Sequence, residues 1–173
     1  MGYVCRLIVG IVLILAAPSI ARAQASDSAA PSEGVHQQLS ANPFGLMFQW
    51  FNAEYERRAT RSSTWGASTS FFSLDDDADY ANAAGFWRYY PQGRALHGLY
   101  IGGRAGVHRV GADGESGIFF GLGFELGYNW ILGQHQNFMI GTGAGATRLF
   151  GGSLDGASLT IPTLRLVNVG VSF

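Results

Sequence analysis

The hydrophobic pattern of residues 118–132 is the strongest structural signal in the chain. Every even position there is apolar, and the odd positions are mostly glycine or polar, with Glu125 and Asn129 among them. A period of two places alternate side chains on opposite faces of a β-strand. The apolar face is long and ends in Tyr128 and Trp130. Because a strand that crosses a bilayer needs about 9–11 residues and aromatic side chains near the headgroups, the pattern predicts a transmembrane strand.

The same alternation predicts six more strands, separated by short polar segments. They cover residues 44–57, 63–74, 80–90, 99–110, 137–150 and 161–173. In the first of these strands the apolar face switches at Trp50 and Phe51, which indicates a β-bulge. Loops are predicted at residues 112–116, at residues 151–156 and at the acidic segment 75–79, which ends in Asp79.

The last strand ends in apolar residues at alternate positions, namely Val169, Val171 and Phe173. Its apolar face suits a bilayer, but the same alternation followed backwards places Arg165 on the lipid face, which is costly at depth. A bulge near residues 166–167 would remove this conflict by turning Leu164 and Leu166 outward. The alternative is that Arg165 reaches the interface with its long side chain. We favour the bulge.

The direction of the strands can be tested for consistency. Short turns and both termini of such barrels lie on the periplasmic side. With Phe173 there, the turns at residues 58–62, 91–97 and 133–136 are periplasmic as well. Aromatic residues then collect near the periplasmic ends of the strands and predict one interface girdle. The predicted girdle consists of Tyr55, Trp65, Trp87, Tyr89, Tyr100, Tyr128 and Trp130.

With seven strands and Phe173 in the periplasm, the first strand would begin on the outer side of the membrane, although both termini of such barrels lie in the periplasm. An even number requires one further strand, which we predict within residues 34–43. The fold class predicted is therefore all-β: a closed, antiparallel, up-and-down transmembrane β-barrel, with eight strands as the favoured count.

The N-terminus has the features of an export signal. Residues 7–17 are apolar but too short to span a bilayer as a helix, and small residues near Ala23 and Ala25 fit a cleavage site. We predict a cleaved signal peptide at residues 1–23, with Ala25 as the alternative cut. Residues 24–42 form a polar periplasmic lead-in that holds the possible first strand near its end, and residues 43–173 form the barrel.

Composition narrows the chemistry further. The single cysteine, Cys5, lies inside the signal, so the mature chain has no disulfides or thiolate metal sites. A net charge of −1 gives no reason to expect a nucleic-acid partner. No cofactor or metal is predicted. The acidic segment 75–79 lacks the spacing of a calcium loop, and a solvated charged loop is the favoured interpretation.

Five segments, at residues 42–46, 52–57, 98–102, 127–133 and 162–166, resemble those of a family of small bacterial outer-membrane β-barrels with no assigned biochemical role. That family is related in architecture to the eight-stranded OmpA/OmpX-like barrels. The resemblance implies location in the outer membrane, with its lipids and lipopolysaccharide as surroundings. It also implies that Val169, Val171 and Phe173 form a sorting signal for the barrel-assembly machinery. The matching motifs are structural and carry no catalytic residues.

In each strand, the side chains at every second residue point to the same face, and this alternation is called strand parity. It predicts which polar side chains point into the barrel. An eight-stranded barrel is just wide enough for side chains to fill. Because buried charges must be paired, we favour a lumen filled by an ion-pair and hydrogen-bond network. The predicted lumen residues are Glu54, Arg88, Arg104, His108, Glu125 and Asn129, with Asn52 and Glu56 as further candidates.

Three functions remain open at this point. The first is a filled barrel with a structural or surface-interaction role in the cell envelope. The second is a narrow channel for ions or small solutes. The third is a lipid-modifying enzyme, for which His108 is the only histidine on the outer side, and the His-x-Ser pairing of lipid A deacylase barrels is absent. Arg109 and Arg148 lie near outer strand ends, where arginine suits lipopolysaccharide phosphates.

Overall fold

Eight antiparallel strands form one closed barrel. The structure, a computed structural model, describes residues 35–43, 45, 50–74, 78–112, 115–151 and 159–173. Each strand pairs with the next one along the chain, and β1 pairs with β8, so the sheet closes without an edge. Closure gives every strand a hydrogen-bonded partner on both sides, as β-structure that crosses a bilayer requires. The strands are β1 Gln37–Ala41, β2 Trp50–Arg58, β3 Ser63–Leu74, β4 Ala78–Tyr89, β5 Gly98–Ala112, β6 Glu115–Leu132, β7 Phe138–Phe150 and β8 Leu159–Ser172.

The predicted eight-stranded barrel is confirmed, including the extra strand before the first obvious one. That strand is β1, which lies within residues 34–43 as parity required and within the segment assigned to the lead-in. The bounds of β3 agree with those predicted from alternation. In β2, Phe51, Ala53 and Tyr55 face outward as predicted, but residues 44 and 46–49, on which the predicted bulge also depends, lie outside the described residues.

Two predicted loops are wrong in part. Residue 79 belongs to β4, where Asp79 pairs with Ser73 on one side and Gly111 on the other. Residues 112 and 115–116 continue β5 and β6, and Ala112 pairs with Glu115. The sequence pattern failed there because polar residues and glycines can extend a backbone ladder without any apolar alternation to reveal it. The remaining residues of the acidic segment, 75–77, and most of the loop at 151–156 lie outside the described residues.

A β-bulge in β8 turns Arg165 into the barrel. Gly141 of β7 pairs with Asn168, whereas Gly143 pairs with Arg165, so two steps along β7 match three along β8. Arg165 is only 5% exposed, and Leu166 beside it is 49% exposed on the outside. The predicted bulge is confirmed. It moves the side-chain parity of β8 by one residue, which is the effect of an extra unpaired residue in a strand.

The barrel is apolar outside and polar inside. Large hydrophobic side chains cover its outer surface, with Ile118 72% exposed and Phe124 64% exposed. The buried residues, by contrast, include charged and amide side chains from five of the strands and the histidine of a sixth. This is the reverse of a water-soluble sheet and matches a barrel whose outer face meets lipid. In the part of the chain described, no helix has the length and apolarity needed to span a membrane.

The end of the barrel that carries residues 59–62, 90–97 and 133–137 is called the turn end here, and the opposite end the far end. Six residues of the predicted girdle face outward near the turn end: Tyr55, Trp65, Trp87, Tyr89, Tyr128 and Trp130. The assignment of Tyr100 to the girdle is wrong, because its side chain is fully buried inside the barrel. Its neighbours Leu99 and Ile101 face outward, and strand parity therefore turns Tyr100 inward.

Residues 90–97, which join β4 to β5, cover the opening of the barrel at the turn end. Tyr90 and Leu96 are fully buried, and Ala95 is nearly so. The amide nitrogen of Ala95 donates to the carbonyl oxygen of Arg61 at 2.7 Å. Gln38 Nε2 donates to the carbonyl oxygen of Leu96 at 3.0 Å. Leu96 has a positive φ of 75°, a conformation that non-glycine residues adopt at a cost, so this turn is held in place by its packing and hydrogen bonds.

Candidate functional site

The lumen network is built around Arg88, which β4 places at the centre of the turn-end half. Its side chain has no exposed surface, and each of its three nitrogens contacts a different carboxylate. Nη2 lies 3.1 Å from Glu54, Nη1 lies 2.5 Å from Glu56, and Nε lies 2.5 Å from Glu125. Its Cζ also lies over the ring of Tyr100, 4.5 Å from the centroid. One guanidinium thus joins strands β2 and β6, which do not pair with each other.

Arg165 forms the second centre of the network. Its Nη2 lies 3.0 Å from Glu54, so this carboxylate is shared between two guanidinium groups. Its Nη1 donates to Tyr100 Oη at 3.1 Å and to Asn129 Oδ1 at 3.2 Å. The bulge in β8 is therefore the local feature that completes the network, because it delivers this arginine to the interior.

Arg104 is the third lumen arginine, and its pairing is much looser. Its Nη2 donates to Ser68 Oγ at 2.8 Å, while its Nη1 lies 3.9 Å from Glu125 Oε2. Its side chain is 10% exposed, in contrast to Arg88. Glu125 contacts Arg88 Nε at shorter range, so its ion pair with Arg104 is the weaker of the two.

Hydrogen bonds from neutral side chains complete the coordination of Glu56. Its Oε1 accepts from Tyr90 Oη at 2.7 Å and from Thr64 Oγ1 at 2.5 Å. Tyr90 in turn accepts from Asn129 Nδ2 at 3.1 Å. Tyr90 follows the end of β4, and burial together with the Glu56 carboxylate raises the pKa of its phenol well above the usual value. The phenol therefore stays protonated and acts as a donor.

The charges of this network balance. The three lumen arginines meet three lumen glutamates, Glu54, Glu56 and Glu125, so the cluster of described charges is neutral as a whole. Removing charges from water costs several kcal/mol per ion, and pairing with additional hydrogen bonds is needed to offset it. A neutral, densely bonded cluster can fill a lumen, whereas a single buried charge could not remain there.

A second, smaller polar group lies nearer the far end. His108 Nδ1 lies 2.7 Å from Tyr80 Oη, and Tyr80 also accepts from Asn82 Nδ2 at 2.8 Å. The two rings of His108 and Tyr80 are tilted, with centroids 5.8 Å apart. The histidine thus contacts Tyr80 through both a hydrogen bond and a ring contact. In hydrolase triads a carboxylate orients the histidine, and none is among the described contacts of His108.

A cavity of about 390 Å³ occupies the lumen on the far side of the network. Its floor includes Glu54, Tyr100, Arg104, Glu125 and Arg165. Its walls include the inward residues of β2, β3, β4, β5, β7 and β8, among them Trp50, Asn52, Phe72, His108, Thr147 and Ile161. The interior is therefore divided into a filled half near the turn end and a half with free space beyond it.

The other residues singled out from the sequence lie apart from the lumen. Arg109 and Arg148 face outward on β5 and β7, and Arg109 Nε lies 3.9 Å from Asp79 Oδ2. Val171 and Phe173 are more than half exposed at the turn end, and Val169 faces the same way. His97 and His135 lie in the turns of the turn end. Among the described residues, no group of three or more histidine or carboxylate side chains could hold a metal ion.

Comparisons with known proteins were made for the sequence and for the structure. No known family profile matches the sequence, and no curated protein matches it. The structure is similar to the crystal structure of the N-terminal β-barrel domain of Pseudomonas aeruginosa OprF. The match has 14% identity and a TM-score of 0.46, and it covers 79% of this chain and 96% of that chain. The strand pairing of this chain establishes the eight-stranded barrel, the architecture that the resemblance to OmpA/OmpX-like barrels led us to expect.

The structure brings together most of the residues selected by parity and adds several others. Glu54, Arg88, Arg104, Glu125 and Asn129 all join the network, as does Glu56, whereas Asn52 and His108 line the cavity. Tyr90, Tyr100, Thr64 and Arg165 were missed as lumen residues. Parity alone would have found Thr64 and Tyr100, and the preferred bulge already implied Arg165. The predicted strand 80–90 also turns Tyr90 inward, since it shares the parity of Arg88, but its place in a turn that covers the end of the barrel depends on the tertiary structure.

Proposed function

We propose that this chain is a bacterial outer-membrane β-barrel whose lumen is closed to ions, with a structural or surface-interaction role in the cell envelope. The observation that carries the proposal is the burial of Arg88 among three carboxylates in the turn-end half of the lumen. The turn at residues 90–97 adds a second barrier, since Tyr90 and Leu96 are fully buried below that cluster. An ion crossing the barrel would have to displace both.

Several further features support the location. The outer face is apolar, aromatic residues collect at one end, and the N-terminus reads as an export signal. The partners that fit are outer-membrane lipids and lipopolysaccharide, whose phosphates Arg109 and Arg148 can meet from the outer face, since both are exposed there. Val169, Val171 and Phe173 are proposed as the signal read by the barrel-assembly machinery.

Conductance across planar bilayers tests the closed lumen. The purified full-length protein is first shown to be folded by its heat-modifiable mobility in SDS gels, and is then reconstituted. We expect no reproducible single-channel steps, since the network and the turn block the path. Reproducible steps from folded protein would overturn the closed lumen and favour the narrow channel instead.

Cell fractionation tests the location. We expect the protein in the outer-membrane fraction, and we expect removal of residues 1–23 to retain it in the cytoplasm. Substitution of Phe173 by serine should slow assembly without changing the stability of barrels that have already folded, because Phe173 lies at the chain end with its ring exposed. Equal assembly rates for both proteins would contradict the sorting role.

A further inference from the structure

The cavity on the far side of the network has the composition of a small-molecule site. At about 390 Å³ it lies near the lower end of the range of such pockets, about 300–1,000 Å³. Pockets of this kind combine apolar walls with a few polar groups that fix the orientation of the ligand. Both parts can be identified in this cavity.

Arg104 supplies the polar group. Arg88 uses all three of its nitrogens on carboxylates, and Arg165 contacts Glu54, Tyr100 and Asn129. Arg104 makes one hydrogen bond to a neutral hydroxyl and one ion-pair contact at 3.9 Å. A guanidinium carries five N–H donors, so Arg104 keeps donors for a ligand at the cavity floor.

The carboxylates near Arg104 make their closest contacts with other arginines. Glu54 and Glu125 also line the cavity, but Glu54 is held between Arg88 and Arg165, and Glu125 contacts Arg88 at 2.5 Å. His108 adds a ring that is engaged through Nδ1 with Tyr80. The charges that line the cavity balance, with Arg104 and Arg165 against Glu54 and Glu125, and Arg104 is the most loosely paired of them. It suits an anion of single charge better than a phosphate dianion, which the two carboxylates would repel.

Aromatic and aliphatic side chains supply the apolar walls. Trp50 of β2 and Phe72 of β3 meet edge to face, with ring centroids 6.1 Å apart. Tyr80 of β4 continues this wall, and Ile161 of β8 also lines the cavity. A flat ring can pack against such aromatic faces and edges, which adds favourable contacts to the burial of its apolar surface.

We infer that the cavity binds a small aromatic carboxylate, with the carboxylate on Arg104 and the ring beside Trp50 and Phe72. Arginine recognises a carboxylate through two parallel hydrogen bonds, which also fixes the orientation of the ring. This inference does not depend on where the barrel resides or on whether it conducts, so it can fail while the proposed function stands, and the reverse also holds.

Binding of 4-fluorobenzoate, followed by fluorine NMR of the full chain in detergent micelles, tests the inference. We expect saturable binding, and at least tenfold weaker binding of the neutral analogue 4-fluorobenzyl alcohol. Arg104→Met should weaken binding of 4-fluorobenzoate at least tenfold. Arg109→Met removes an arginine from the outer face instead and should leave the binding unchanged.

A second variant guards against loss of folding in Arg104→Met. Ser70→Phe fills the cavity from β3 without touching the ion network, and it should abolish the saturable binding while the heat-modifiable mobility is kept. The inference is overturned if neither fluorinated probe saturates, if the neutral analogue binds equally well, or if Arg104→Met and Arg109→Met bind alike. The last result would mean that Arg104 does not hold the carboxylate of the probe.

Discussion

The two halves of the barrel interior hold similar side chains but differ in how completely those side chains are paired. In the turn-end half, Arg88 is fully buried and every nitrogen of its guanidinium meets a carboxylate. In the far half, Arg104 is only loosely paired and lies beside free space. Charged side chains inside this narrow barrel are therefore found in two different environments. Complete pairing around Arg88 supports the proposed closed lumen, and looser pairing beside the cavity supports the proposed ligand site.

The largest effect should come from removing the central arginine. Arg88→Met leaves three carboxylates without their shared partner, and losing one partner of a buried pair costs about 3–5 kcal/mol. Arg104→Met is the matched variant, and we expect a loss of under about 2 kcal/mol because Glu125 keeps its contact with Arg88. Urea unfolding of the barrel in lipid vesicles measures both. Equal losses would remove the proposed difference between the halves.

Two hydroxyl groups on one strand offer a finer test. Thr64 is fully buried and donates to Glu56, so Thr64→Val should cost about 1–3 kcal/mol. Ser70 also faces inward on β3 but lines the cavity, and Ser70→Ala should change stability by less than about 0.5 kcal/mol. The same unfolding measurement applies. A larger loss for Ser70→Ala would mean that the far half depends on its polar contacts as much as the turn-end half does.

Alanine substitutions at two glycines compare the stability cost of added volume in the packed interior with the cost on the outer face. A Cβ added to Gly66 would lie 2.2 Å from the carbonyl oxygen of Tyr55 and 2.4 Å from the Phe86 ring. Gly66→Ala should therefore cost about 1–3 kcal/mol through overpacking. A Cβ on the neighbouring, outward-facing Gly85 would meet nothing nearer than 3.9 Å. Gly85→Ala should be neutral or stabilise by about 0.4–1 kcal/mol, since it restricts the unfolded chain. Similar thermal unfolding of the two variants would contradict this prediction.

The smallest effect is expected for the ion pair on the outer face. Asp79 and Arg109 are both more than one third exposed, and their charged atoms lie 3.9 Å apart. Exposed pairs of this kind contribute about 0–1 kcal/mol and weaken in salt. A double-mutant cycle of Asp79→Ala and Arg109→Ala measures the coupling. A coupling as large as the effect of Arg88→Met would show that exposure does not separate the outer pair from the lumen network.

The number of strands, most of their faces and the bulge in β8 could be predicted from the sequence. Each of these follows from neighbours along the chain, because side-chain direction in a strand has a period of two and an arginine on a lipid face signals a change of parity. The position of Tyr100 near a strand end suggested the girdle, but the outward direction of Leu99 and Ile101 already places its side chain inside the barrel. The strand extensions at Asp79 and Glu115 were not predicted, because the residues there pair through the backbone without an alternating apolar pattern.

Only the tertiary structure decided which inward charges meet. Glu56 and Glu125 lie on β2 and β6, strands that do not pair with each other, yet both contact Arg88. That meeting depends on the diameter of the closed barrel and on the relative heights of its strands, which no local pattern records. The same holds for the burial of Tyr90 under the barrel and for the cavity beside Arg104. Strand parity predicts that a side chain points inward, but the geometry of the closed barrel determines whether that side chain meets an oppositely charged partner or lies beside free space.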